Sequence, residues 1–302
     1  DYLGLASDPR LAEAAKKAME SEGFGAGSAR LVSSAKRSHH ELEEALARFK
    51  GTEACLIFNS GYAANVGIIP ALAGPGCTVY SDALNHASLI DGARLSRADV
   101  RVFRHNDPDH LEALLAKPVE DPPLPSPLFP APRLVVTEGV FSMDGDLSPL
   151  DRIVPIARRF GASIMVDDAH GTGVLGEGGR GTASHFGVDP LIDVKMGTLG
   201  KALGAFGAYV CGSHALIDYL INACRSFIYT TGLPPPVAAA AREALHIVET
   251  EPERIARLHR NIAFFREGLR SISFDVPQDA TPIIPVIVGD TDRAMRLAED
   301  LL

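Results

Sequence analysis

Seven short apolar runs, rich in β-branched or aromatic residues, recur between longer helix-like segments. They are ACLIF (54–58), CTVY (77–80), VRVF (100–103), RLVVT (133–137), SIMVD (163–167), IDVKM (192–196) and GAYVC (207–211). Short runs of this kind suit strands covered on both faces, as in parallel sheets with helices above and below. The intervening segments supply such helices. In HHELEEALARFK, Leu42, Ala45, Leu46 and Phe49 share one face, and LSPLDRIVPIARRF (despite Pro155) and PPPVAAAAREALHIVE repeat the spacing. Strands alternating with helices predict an α/β fold, a large domain with a mostly parallel seven-stranded sheet flanked by helices.

From about residue 236 the pattern changes to helix followed by PIIPVIVGD, which reads as part of a smaller C-terminal α/β domain. The expected division is therefore 1–235 and 236–302. Between Lys117 and Arg133, KPVEDPPLPSPLFPAPR holds seven of the 21 prolines, and reads as an extended surface loop. The chain opens at Asp1 without a methionine and stops at Leu302 inside a helix-like run. Both ends read as cuts through a longer protein.

The composition is that of a soluble globular protein, 46% hydrophobic and 22% charged, and no apolar run approaches the ~18–20 residues that span a bilayer. A net charge of −9 argues against a nucleic-acid partner, which would want a basic face. Cys55, Cys77, Cys211 and Cys224 have no C-x-x-C spacing, so neither a metal site nor a disulfide framework is indicated, and a cytoplasmic location is expected.

In a parallel sheet, chemistry gathers in loops at the carboxyl ends of the strands. SIMVDDAHG puts Asp167 at such an end with His170 three residues on. A carboxylate there either satisfies loop amides or holds a cationic nitrogen in a partly dry site. In FNSGYAAN (58–65), Ser60 and Gly61 allow a sharp turn that aims the amides of Gly61 and Tyr62 outward, at the phosphate-binding end of a helix. The plainer reading is an ordinary N-cap by Asn59 or Ser60. His86 follows the CTVY run, and Ser142 lies in TEGVFSMDGD after RLVVT. In MGTLGKALG, Lys201 has glycines at 197, 200 and 204 around it and Thr198 three residues before it. Phosphate donors, a ring to stack, a carboxylate and an accessible lysine form the set that pyridoxal 5′-phosphate needs. Nucleotide motifs compete less well. GTGVLG (171–176) matches G-x-G-x-x-G and would suit a nicotinamide-dependent oxidoreductase, but DDAH separates it from its strand. The P-loop pattern fails because Ala202 follows Gly200-Lys201.

The motifs SGYAAN, NHASLIDGARLS, RHND, TEGVFSMDGDLSPL, VDDAHGTGVLGEGGRG, GTLGKALG and IYTTGLPPP resemble those of the α-oxoamine synthases, fold-type I pyridoxal phosphate enzymes. The resemblance runs from DYLGL almost to Leu302. It implies a PLP-dependent acyltransferase that joins an amino acid to an acyl-CoA or acyl carrier protein thioester with loss of carbon dioxide. Residues 1–235 are then the cofactor-binding domain. Lys201 becomes the lysine that takes the cofactor's aldehyde and serves as general base, and Asp167 the partner of its pyridine nitrogen. His86 stacks on the ring and steadies developing negative charge, while His170 bonds the phenolic oxygen with Ser142 close by. Gly61, Tyr62 and Thr198 hold the phosphate, and Thr230 and Thr231 reach the phosphate of a neighbouring subunit in a homodimer. The motif details favour L-alanine and a pimeloyl thioester, with glycine and acetyl-CoA as the open alternative. The family's substrate-carboxylate residues would lie before Asp1 and beyond Leu302.

Overall fold

A computed structural model of the chain describes residues 1–118, 133–277, 279 and 281–301. Each of the seven apolar runs is a strand, displaced by at most two residues: β1 (Ala54–Phe58), β2 (Thr78–Asp82), β3 (Asp99–Phe103), β4 (Arg133–Glu138), β5 (Ser163–Asp167), β6 (Val194–Thr198) and β7 (Ala208–Gly212). They form one sheet in the order β1-β7-β6-β5-β4-β2-β3, parallel except that β7 runs against both β6 and β1. The helices in the first half are α1 (Pro9–Glu22), α2 (Arg37–Lys50), α3 (Gly61–Leu72), α4 (Ala87–Ser96), α5 (Pro108–Leu115) and α6 (Leu150–Arg159). Those in the second half are α7 (Thr182–His185), α8 (His214–Ala223), α9 (Arg225–Ile228), α10 (Pro235–Thr250), α11 (Pro252–Ser271) and α12 (Thr291–Asp300).

Local chemistry sets the helix ends. Asp8 accepts from the Arg10 amide at 3.1 Å, and Pro9 opens α1, where a missing N–H costs nothing. Helix α2 stops at Gly51, whose φ of +60° suits glycine. Successive strand residues face opposite layers. Leu56 and Phe58 pack with Ile68 and Ile69 of α3 and Leu216 of α8. Cys55, Ile57 and Tyr209 pack with Leu42 and Leu46 of α2 and Leu245 of α10. Toward the other edge, Tyr80, Val135 and Ile164 meet Leu111 of α5 and Ile153 of α6. This double covering is why the strands read as continuous apolar runs.

Helix α10 packs against α1 and α2. Beyond α11, the Leu147 amide donates to Asp279 Oδ2 at 3.0 Å and Thr281 Oγ1 donates to the Gly145 carbonyl at 2.6 Å. PIIPVIVGD forms no strand among the described residues. Its composition suits a strand, but strand formation needs a hydrogen-bonding neighbour. The expected proline-rich loop lies, over residues 119–132, outside the described residues.

A buried ion pair ties α2 to the strand ends. Lys50 Nζ lies 3.1 Å from Asp168 Oδ2, with side chains only 2% and 4% exposed. Asp168 also accepts from the Thr182 amide and from its hydroxyl at 2.6 Å. Replacing the lysine alone would strand a dry carboxylate. The Lys50→Met variant should therefore lose about 3–5 kcal/mol in urea unfolding, whereas a loss below about 1 kcal/mol would contradict this role for the pair.

Candidate active site

Parallel strands β4, β5 and β6 end at Glu138, Asp167 and Thr198, with Glu138 paired to Asp167 and Thr198 two residues past Met196, the partner of Asp167. Asp167 is 6% exposed. Its Oδ2 accepts from Asn65 Nδ2 at 2.7 Å and its Oδ1 from the Ala169 amide at 3.0 Å. Burial raises its pKa, against the pull of Asn65, the Lys201 charge and that amide. Lys201 follows β6 and is half-buried, with Nζ donating to Thr198 Oγ1 at 3.3 Å. Burial lowers its pKa, while Asp167 and, when ionised, Glu138 oppose the shift. The shift makes the neutral, nucleophilic amine easier to reach.

Asn65 joins this pair to a histidine. Its Nδ2 also donates to Ser88 Oγ at 2.9 Å, and Ser88 Oγ lies 2.7 Å from His86 Nδ1. That ring nitrogen accepts from the Ser88 amide at 3.2 Å, so the ring proton sits on Nε2. His86 itself is the N-cap of α4. His170 Nδ1 lies 2.7 Å from the Tyr2 hydroxyl. Burial, and then the nearby Lys201 and His86, depress the His170 pKa to about 4.

At the start of α3, Ser60 Oγ accepts from the Ala63 amide at 3.1 Å, so the plain N-cap reading holds. The amides of Gly61 and Tyr62 occupy the first turn, where a helix supplies no internal acceptor. A Cβ at position 61 would come within 2.9 Å of Thr198 Cγ2, so glycine lets the helix end approach β6. The Tyr62 side chain turns outward and donates to Asp91 Oδ2 at 2.6 Å, leaving its backbone as the inward contribution. Ser142 is half-buried in the loop after β4. Asn59 Nδ2 donates to Thr230 Oγ1 at 3.3 Å and to the Thr231 carbonyl at 2.8 Å, which brings both threonines to the junction before α3.

The structure thus gathers Lys201, Asp167, Thr198 and Gly61 at the strand ends, with His86 linked through Asn65. Sequence reasoning missed Asn65, Ser88, Glu138 and Tyr2. A signal existed for two of them: Asn65 stands one helical turn after Gly61, and Glu138 ends β4 as Asp167 ends β5. Glu138 is 3% exposed, and burial followed by the Asp167 charge pushes its pKa up to about 8. GTGVLG opens no α-helix; residues 171–176 are turns and bends leading only to a three-residue 3-10 turn (Glu177–Gly179), which removes the dinucleotide reading.

A lysine just past a strand end, within the field of a dry carboxylate and near a helix N-terminus, defines a class of cofactor-dependent enzyme. The aminotransferase class I and II family matches residues 1–302, and the chain belongs to that family. It is 54% identical over 305 residues to the 8-amino-7-oxononanoate synthase of Geobacter sulfurreducens, covering 100% of this chain and 75% of that protein. A serine palmitoyltransferase from S. paucimobilis, solved with PLP and myriocin bound, superposes with a TM-score of 0.91 at 36% identity, over 97% of this chain and 74% of that one. An 8-amino-7-oxononanoate synthase from Francisella tularensis gives 0.84 at 31% identity, over 100% and 83%. The fold class and the α-oxoamine synthase resemblance both stand.

The depressed His170 pKa has a direct consequence. Its neutral form is the folded form, so stability is intact above the ordinary histidine value and declines as pH falls from about 6.5 toward 4. Imidazole NMR of the cofactor-free protein should show His170 titrating near 4, and a midpoint near 6.5 would contradict the burial.

Proposed function

We propose that this chain is a PLP-dependent acyltransferase of the α-oxoamine synthase kind. It condenses L-alanine with a pimeloyl thioester of CoA or a carrier protein, giving 8-amino-7-oxononanoate for biotin biosynthesis. The observation that carries the reading is Asp167, a carboxylate kept nearly dry and held by Asn65 within the field of a half-buried lysine.

The residues fit pyridoxal phosphate. Asp167 offers a negative charge with little solvent to compete for it, the partner a pyridinium nitrogen requires. Lys201 offers an amine whose neutral form burial favours. The first turn of α3 offers amides for phosphate, and the absent side chain at Gly61 keeps that turn against Thr198. When bound, the cofactor supplies a protonated ring that accepts the electrons released at the amino acid's Cα.

The chain's own groups then have distinct tasks. Asp167 would favour the protonated form of the ring nitrogen. Lys201 would hold the cofactor by its aldehyde, and its neutral amine would be the base for the amino acid's Cα proton. His86 presents Nε2–H, a donor for the acyl oxygen as negative charge develops there. His170 and Ser142 hold the phenolic oxygen. The amides of Gly61 and Tyr62 and the hydroxyl of Thr198 hold the phosphate, and Thr230 and Thr231 complete that cradle from a second subunit of a homodimer. Residues 236–302 begin a smaller C-terminal domain in this reading, with α10 as its docked first helix. No helix among the described residues is long and apolar enough to cross a membrane.

Product analysis with alanine or glycine against pimeloyl-CoA or acetyl-CoA tests the reading. Alanine with pimeloyl-CoA should be the best pair, and a preference for glycine with acetyl-CoA would assign a different synthase. Lys201→Ala should lower turnover by at least about 10³-fold and abolish the visible band of the bound cofactor.

A further inference from the structure

We propose that Glu138 is a further working residue of this site, a hydrogen-bond donor to an oxygen of the acyl substrate, set in place by His86 and by its pairing with Asp167. The inference deepens the condensation reading above and rests on it.

The placement comes from strand register. Glu138 and Asp167 are paired residues at the ends of adjacent parallel strands, so their side chains leave the sheet on the same face. Both are buried, at 3% and 6% exposed. Glu138 Oε1 accepts from the His86 amide at 2.6 Å. Its other oxygen, Oε2, has no hydrogen-bond partner among the described residues. It is also absent from the fully enclosed atoms that lack a partner, so it keeps contact with solvent. One oxygen is therefore anchored and the other is open.

Two carboxylates cannot both be charged cheaply in so dry a place, so one of the pair keeps a proton. Asp167 has the stronger claim to the charge. It accepts two hydrogen bonds, and the lysine charge favours its ionised form. Glu138 accepts only one, from a backbone amide. The charged groups around Glu138 divide by element. Asp167 on β5 and Asp82 at the end of β2 favour its protonated form, while Lys201 after β6 opposes it. Asp82 is itself paired with His105 Nδ1 at 2.8 Å. The balance gives a carboxyl that titrates near 8 and carries a proton at neutral pH. With Oε1 accepting from His86, that proton belongs on Oε2. A neutral O–H on the carboxyl that holds the His86 backbone is then the proposed second donor for the acyl oxygen, besides the His86 Nε2–H.

Glutamine and alanine variants separate the possibilities. Glu138→Gln keeps an acceptor for the His86 amide and a donor in place of the O–H, and it has no proton to lose. It should retain kcat/KM for the acyl thioester within about threefold at pH 7 and lose the decline that wild type shows as pH rises through about 8. Glu138→Ala should reduce kcat/KM by about 10- to 100-fold while the cofactor's absorbance persists. Infrared difference spectra of the cofactor-free protein give an independent readout. A protonated-carboxyl band present at pH 7, lost above about 8 and absent in Glu138→Gln is expected. Glutamine as damaging as alanine, or no such band, would overturn the proposal. So would an alanine variant with wild-type kinetics. If wild type performs no condensation, the functional reading fails and the donor role falls with it, although the band would still show whether Glu138 holds the proton.

Discussion

In the proposed function Asp167 has to carry charge where water is nearly excluded, and much of the site is arranged around that demand. Removing a carboxylate from water costs several kcal/mol, and each hydrogen bond to a charged group returns about 1.5–3 kcal/mol. Asn65 and the Ala169 amide supply two such bonds, and Lys201 contributes a favourable field. These do not fully offset the burial, because the carboxyl pKa remains raised. A cationic nitrogen placed against Asp167 would close the remaining gap. The same residue that needs a cation is thus the residue that would bind one.

The neighbouring residue shows how the strand end is made rigid. Asp167 reaches Asn65 of α3, whereas Asp168 reaches Lys50 of α2 and Thr182 of α7. Two adjacent acids therefore serve opposite sides, one in the proposed site and one in a structural ion pair. Glycine makes room for the second. A Cβ on Gly181, whose φ is +107°, would sit 1.7 Å from Asp168 Oδ2. The DDAHG segment is held from both layers of the fold, and the loop carrying His170 inherits that rigidity. On the other side, Asn65 couples Asp167 to Ser88 and so to the His86 ring.

The strands were legible because burial on both faces leaves a simple mark, a short apolar run, and every such run up to Cys211 entered the sheet. PIIPVIVGD carries the same mark and formed no strand among the described residues, because composition says nothing about whether a pairing neighbour is present. Lys201 and Asp167 could be found from local signals, glycines around one and a strand end before the other. Asn65 could not be weighted as highly, since an asparagine inside a helix looks ordinary until its two partners arrive from β5 and α4. Tyr2 lies 168 residues from His170, and nothing in DYLGL announces the contact. Glu138 was passed over because its meaning depends on register with Asp167, a relation between strands rather than a property of either.

The most direct test of the account is a crystal structure of the protein grown with pyridoxal phosphate. Continuous density from Lys201 Nζ to the cofactor, with the ring nitrogen within hydrogen-bond distance of an Asp167 oxygen, is the expected result. Cofactor density elsewhere, or a ring nitrogen that faces water while Asp167 keeps only its Asn65 and Ala169 bonds, would contradict it.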